Sequence, residues 1–128
     1  MPDTQEYTRP GNNGTILKQE LQWIIDNKST YNIVAVMHLG DMTDTNTQEA
    51  WGFNNTVYAA TLDKSGIPYL TGTGNHDYLQ CASNSSAVAN CTYSRGSTNI
   101  SKYGKFNNDR FSGKKWFGTY KYTGNSYI

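Results

Sequence analysis

The chain has 128 residues, with 11 basic against 10 acidic side chains and a net charge of +1, so no one-sign field marks it as a nucleic-acid or membrane-surface binder. Hydrophobic residues make up 36% and mean hydropathy is −0.71, and no apolar run approaches the ~20 residues of a membrane span. The length suits one domain, and no internal repeat is present.

In chain order, Asp3-Thr4-Gln5 comes first, preceded by only Met1 and Pro2. Thr15 to Asn27 reads as an amphipathic helix, with Ile16, Leu17, Leu21, Ile24 and Ile25 on one side. Asp3 is therefore expected at the end of a first strand. Ile33 to Leu39 is a nearly continuous apolar run, as in a strand covered on both faces. It stops at Gly40-Asp41-Met42-Thr43-Asp44. Thr47 to Leu62 places Ala50, Trp51, Val57, Tyr58, Ala60 and Leu62 roughly at helical spacing, with Ser65-Gly66 as the stop. A second short strand, Ile67 to Thr71, carries Pro68, which suits the first residue or the edge of a strand, and runs into Gly72-Thr73-Gly74-Asn75-His76-Asp77.

Strand, helix and strand in this order predict parallel strands whose carboxyl ends share one edge of the sheet, where ligands bind in open α/β folds. One βαβ interval of roughly 30 residues or more separates Asp41 from Asn75, and a similar interval separates Asp3 from Asp41. All three motifs should thus meet at one rim. His38 lies within the strand and is expected to be structural, facing away from Asp41. Gly72-Thr73-Gly74 does not extend to a dinucleotide-binding fingerprint. Its glycines are better explained by letting the backbone approach bound metals closely.

From residue 78 onward the character changes. Tyr78 to Ser112 is rich in Asn, Ser, Tyr and Gly with little apolar period, and reads as a long irregular excursion. Loops of this length often cover a site, so Tyr78, Tyr93 or Tyr103 is expected to contact the organic part of a substrate. The spacing of Cys81 and Cys91 fits neither a redox pair nor a zinc ribbon. A disulfide pinning the loop is favoured over two free thiols, and implies an oxidising compartment. The N-x-[ST] triplets at Asn13, Asn27, Asn54, Asn84, Asn90 and Asn99 are compatible with secretion. Lys114-Lys115-Trp116 reads as an exposed loop beside a packed aromatic, and residues 113–128 as the start of the next core strand region.

The chemistry these motifs suit is phosphoester hydrolysis. A phosphate ester repels nucleophiles unless cations neutralise its charge and acidify a water. Carboxylates, amide oxygens and imidazoles suit hard or borderline divalent cations, and Asp41, Asn75 and His76 bring all three types.

On these residues the chain resembles the calcineurin-like metallophosphoesterases, whose signature runs D-x-H, G-D-x-x-D, G-N-H-[DE], a lone His and G-H-x-H. Residues 3–77 match the first three blocks in order and spacing, with Gln5 where most members carry histidine, as in members that read Asp-Thr-Gln. The resemblance implies a partial calcineurin-like α/β fold. It divides residues 1–128 into a metal-site half at 3–77, a loop insertion at 78–112 and a following strand region. It further implies that Asp3 and Gln5 hold one metal, Asp41 bridges two, and Asn75 holds the second. His76 would assist the leaving oxygen, with Asp44 positioning its ring, while Asp77 fixes the loop. Two divalent ions (Mn, Fe, Zn or similar) would carry a hydroxide that attacks a phosphomonoester or phosphodiester. The expected setting is extracytoplasmic. The chain contains only two histidines and neither lies in a G-H-x-H context, so the resemblance implies an incomplete domain, inactive alone. The alternative is a non-catalytic extracellular binding module that retains the fold.

Overall fold

The computed structural model describes residues 1–9, 14–81, 91–93, 98–119 and 126–127. A 3-10 turn, Gln5–Thr8, is followed by helix α1 (Thr15–Asp26), strand β1 (Val36–His38), helix α2 (Gln48–Ala60), a helical turn α3 (Leu62–Ser65) and strand β2 (Tyr69–Thr71). Strands β1 and β2 pair in parallel, with Val36 opposite Tyr69 and His38 opposite Thr71. The mixed helix-and-strand organisation and the parallel pair are those the sequence predicts.

Helix α2 starts where Thr47 caps it, its side chain accepting the Ala50 N–H at 3.3 Å, which satisfies one of the orphan donors of the first turn. The segment ends at Gly66, whose φ of +72° is a left-handed conformation that suits glycine. The face that α1 and α2 bury is apolar: Leu17 and Leu21 of α1, Trp51, Val57 and Tyr58 of α2, and Val36, Ile67 and Tyr69 form one core.

Among the described residues, strand β1 is covered on one face only, not on both as its composition suggests. Val36 and His38 are buried, whereas Met37 between them is exposed, as are Val34 and Leu39 on either side. The apolar run encodes a strand suited to a two-sided sheet, but in this structure both helices pack on the same side.

The excursion after residue 78 is less irregular than its composition indicates. Leu79–Cys81 (β3) and Cys91–Tyr93 (β4) pair antiparallel with Cys81 opposite Cys91. Cys91 is disulfide-bonded, and Cys81 is the chain's other cysteine. Further on, Phe106 meets Tyr58 edge-on at a centroid distance of 5.0 Å, and Phe111 meets Tyr69 at 5.2 Å. Residues 98–117 are therefore core packing over α2 and β2 rather than a free loop. A single helical turn, α4 (Asn108–Phe111), brings Arg110 to Asp63 (2.8 Å), the Tyr69 hydroxyl (2.8 Å) and Asn55 Oδ1 (2.7 Å). Aromatic rings at uneven intervals leave no helical or strand period, which hides this packing from a pattern reading. The last strands, β5 (Gly118–Thr119) and β6 (Ser126–Tyr127), pair with each other, forming a hairpin instead of extending the β1–β2 sheet among the described residues.

Three sequence expectations need finer placement. Asn54 is fully buried and its amide donates to the Met42 carbonyl at 2.9 Å, so this triplet cannot carry a glycan in the folded protein. Asn13, Asn84 and Asn90 lie outside the described residues. Lys114 donates to the Asp63 carbonyl (2.8 Å) while Lys115 stays exposed, and Trp116 packs on Tyr69 and Phe111, as expected of a loop beside a packed aromatic. No helix among the described residues is long and apolar enough to cross a membrane.

Candidate metal centre

Three chain segments run side by side into the site. Met1 lies along the free edge of β1, its ammonium donating to the Met37 carbonyl at 2.6 Å and its carbonyl accepting from Leu39 N–H at 3.2 Å. On the other edge, β2 continues its ladder through Gly72 N–H to the His38 carbonyl at 2.9 Å. Residues 1–4 form no strand, contrary to the expected first strand ending at Asp3, yet the two main-chain bonds of Met1 bring Asp3-Thr4-Gln5 to the rim where Asp41 and Asn75-His76 leave β1 and β2. Thr4 N–H then bonds the Asp41 carbonyl at 3.2 Å.

Asp41 is held in a demanding conformation. Its φ is +51°, directly after Gly40 at +108°, and a non-glycine residue in this region costs on the order of 1–3 kcal/mol. The reversal brings its carboxylate back onto the second motif, where Oδ1 accepts the His76 N–H at 2.7 Å. Glycine is required where the two loops touch: a Cβ on Gly40 would collide with the Gly74 backbone, and a Cβ on Gly74 with the Asp41 carboxylate. The sequence leads one to expect Gly72 and Gly74 to bring the backbone close to metals; what Gly74 approaches in the structure is the Asp41 carboxylate of the other motif.

Asp77 fastens the two loops together. Its carboxylate accepts N–H groups of Met42 (3.2 Å), Thr43 (2.9 Å) and Gly74 (3.0 Å), with the Thr43 hydroxyl at 3.0 Å. It is fully buried, and burial raises its pKa although those hydrogen bonds pull the other way.

Asp44 meets the His76 ring through its main chain. Its Nδ1 lies 2.8 Å from the Asp44 carbonyl oxygen and 3.6 Å from the carboxylate. A carbonyl only accepts, so Nδ1 carries the proton and Nε2 is the nitrogen left for other partners. The Asp44 carboxylate is taken up by Arg9, with Nε at 3.1 Å from Oδ2 and Nη2 at 3.2 Å from Oδ1.

His38 is structural, as its place in the strand predicts. Its Nδ1 accepts Gly40 N–H at 3.1 Å, which leaves Nε2–H to donate to the Thr4 hydroxyl at 3.0 Å. Burial, helped by the nearby Met1 ammonium, pushes its pKa down to about 4. The ring ties the first motif to the second.

The remaining expected ligands frame the rim. Asp3 is exposed, its Oδ1 accepting Gln5 N–H at 2.8 Å, and Asn75 is exposed ahead of the 3-10 turn His76–Tyr78. Gln5 differs: its Oε1 is buried and finds no hydrogen-bond partner among the described residues. A buried amide oxygen left unpaired costs about 1–3 kcal/mol, and a cation would satisfy it. No group of three or more His, Cys, Asp or Glu side chains suited to a metal occurs among the described residues. The four residues expected as ligands carry two carboxylates and two amides, oxygen donors of a kind that suits hard cations. Of the three tyrosines expected at the substrate, Tyr78 adjoins His76 and shares a hydrogen bond with Thr73 (3.0 Å). Tyr103 packs against the core, and the Tyr93 side chain lies outside the described residues.

Arg9 and Asn54 belong to the site's framework without any motif announcing them. Arg9 has no distinguishing sequence neighbours. Asn54 could have been noticed as a polar residue in the buried stripe of α2, between Trp51 and Tyr58.

No family model and no solved structure matches the chain. It is similar to the uncharacterized protein YvnB of Bacillus subtilis (strain 168), with 39% identity over 77 residues, which is 60% of this chain and 6% of that protein. The chain thus spans a small part of that relative's length.

Proposed function

We propose that this chain is part of a calcineurin-like metallophosphoesterase that hydrolyses phosphomonoesters or phosphodiesters with two divalent ions such as Mn, Fe or Zn. The observation that carries the reading is the unpaired, buried Oε1 of Gln5 at a rim where the Asp41 carboxylate is drawn onto the Asn75-His76 turn. Asp3 and Gln5 would hold one ion, Asn75 the other, and Asp41 both. Divalent ions would supply charge neutralisation at the phosphate and acidify water.

The chain's own residues prepare the rest. Asp41 is pre-oriented by the His76 N–H, and the two loops are locked by Asp77, so little reorganisation accompanies binding. His76, with Nδ1–H on the Asp44 carbonyl, presents Nε2 as the atom from which a protonated ring gives its proton to a leaving oxygen. His38 is committed to Thr4 and Gly40, so this reading takes its further nitrogen ligands from sequence beyond these residues. The disulfide at Cys91 favours an extracytoplasmic setting.

Two measurements test the proposal. Mn²⁺ titration of this chain, followed by electron paramagnetic resonance, should show binding that weakens at least tenfold in Asp41→Asn. The protein from the complete reading frame should hydrolyse an aryl phosphate or its bis ester with Mn²⁺, and lose that activity in Asp41→Asn and His76→Gln. Metal-independent behaviour of all these proteins would refute the proposal and favour a binding module.

A further inference from the structure

We propose that Arg9 is a positioning residue for His76, acting through Asp44; the inference rests on the phosphoesterase reading for its catalytic consequence, not for its structural one. Asp44, whose side chain is 6% exposed, turns its carboxylate to two basic groups. Arg9 engages both of its oxygens, at 3.1 and 3.2 Å, in the side-on fork that suits a guanidinium. His76 Nδ1 stands 3.6 Å from Oδ1. The segment that delivers Arg9 is itself fastened to Asp44: Asp44 N–H reaches the Thr8 hydroxyl at 3.3 Å, and that hydroxyl donates to the Gln5 carbonyl at 2.8 Å. Glu6 holds the outer side of the guanidinium at 2.6 Å.

Because Arg9 occupies the carboxylate, the partner of His76 is the main-chain carbonyl of Asp44 at 2.8 Å. A main-chain carbonyl cannot rotate away from the ring as a carboxylate can. The arrangement fixes the Nδ1–H tautomer and the ring plane, and directs Nε2 to one place. Without Arg9, the Asp44 loop loses one of its two ties to residues 8 and 9, its carbonyl and its solvated carboxylate draw away from the ring together, and His76 reverts toward the Nε2–H form that unrestrained histidine prefers.

The two histidines provide their own control, since they are the only ones in the chain and hold opposite tautomers. His38 accepts at Nδ1 and donates at Nε2. In this chain labelled with ¹⁵N-histidine, nitrogen shifts of the neutral rings should report Nδ1–H for His76 and Nε2–H for His38. Arg9→Ala should move His76 to a mixture dominated by Nε2–H and leave His38 unchanged, which also certifies folding; Arg9→Lys should retain most of the Nδ1–H form. A His76 tautomer unaltered in Arg9→Ala with His38 intact would overturn the proposal, and loss of the His38 signal too would show that Arg9 acts on the whole fold, overturning it equally. In the complete protein, Arg9→Ala should lower kcat about tenfold with KM within about twofold, the pattern of a misplaced proton donor. If no ester is hydrolysed by that protein, the phosphoesterase reading fails while the nitrogen shifts still decide the role of Arg9.

Discussion

Replacing Asp77 by Asn changes one atom and tests the idea that the loops of the site are held by a single carboxylate. Asp77 Oδ2 accepts from Met42 and Gly74, and Oδ1 accepts from the Thr43 N–H and hydroxyl. Asparagine keeps one acceptor oxygen and turns the other into an NH₂ that faces N–H donors. If the amide oxygen takes the Met42 and Gly74 side, the Thr43 N–H is left unpaired in a dry site while its hydroxyl can rotate to donate elsewhere. In the flipped orientation two N–H groups are orphaned. Each orphan costs about 1–3 kcal/mol, and donor-to-donor repulsion adds to it. The loss of the buried charge offsets part of this, since burial already raises the Asp77 pKa. A net destabilisation of about 2 kcal/mol follows, equivalent to a Tm drop of roughly 7 °C for a domain of this size. Urea and thermal denaturation by circular dichroism measure both quantities. A variant within about 0.5 kcal/mol of the parent would mean that the loops are held by something other than this carboxylate.

Other perturbations read out separate parts of the structure. Gln5→Leu removes a buried unpaired oxygen at similar volume, so the metal-free protein should be equally or more stable while Mn²⁺ affinity falls by about tenfold or more; calorimetric titration showing unchanged affinity would remove Gln5 from the ligand set. Arg110→Ala strips Asp63, Tyr69 and Asn55 of a shared partner whose side chain is 6% exposed, and should cost about 3–5 kcal/mol in a denaturant titration. His38 titrates near 6.5 when unfolded but at about 4 in the fold, so the unfolded chain binds more protons between these values. Stability is complete above the unfolded value and falls as pH decreases through this window, by about 2 kcal/mol between pH 7 and pH 5. The slope of urea midpoint against pH should flatten in His38→Gln; an unchanged slope would show that other groups control it.

The order of elements through residue 77 was legible because each is encoded locally. Thr47 caps its helix, Gly66 ends the next turn in a left-handed conformation, and apolar periods of different length separate helix from strand. The meeting of Asp3, Asp41 and Asn75 at one rim also followed from sequence, since a helical crossover makes strands parallel and parallel strands end together. Other features depended on contacts between residues remote in sequence, which no local period encodes. Among them are the single covered face of β1, the packing of Phe106 and Phe111 onto α2 and β2, and the capture of Asp44 by Arg9. The His76 contact to a carbonyl belongs with them: it depends on which oxygen of Asp44 another side chain has already taken, and only the folded arrangement decides that.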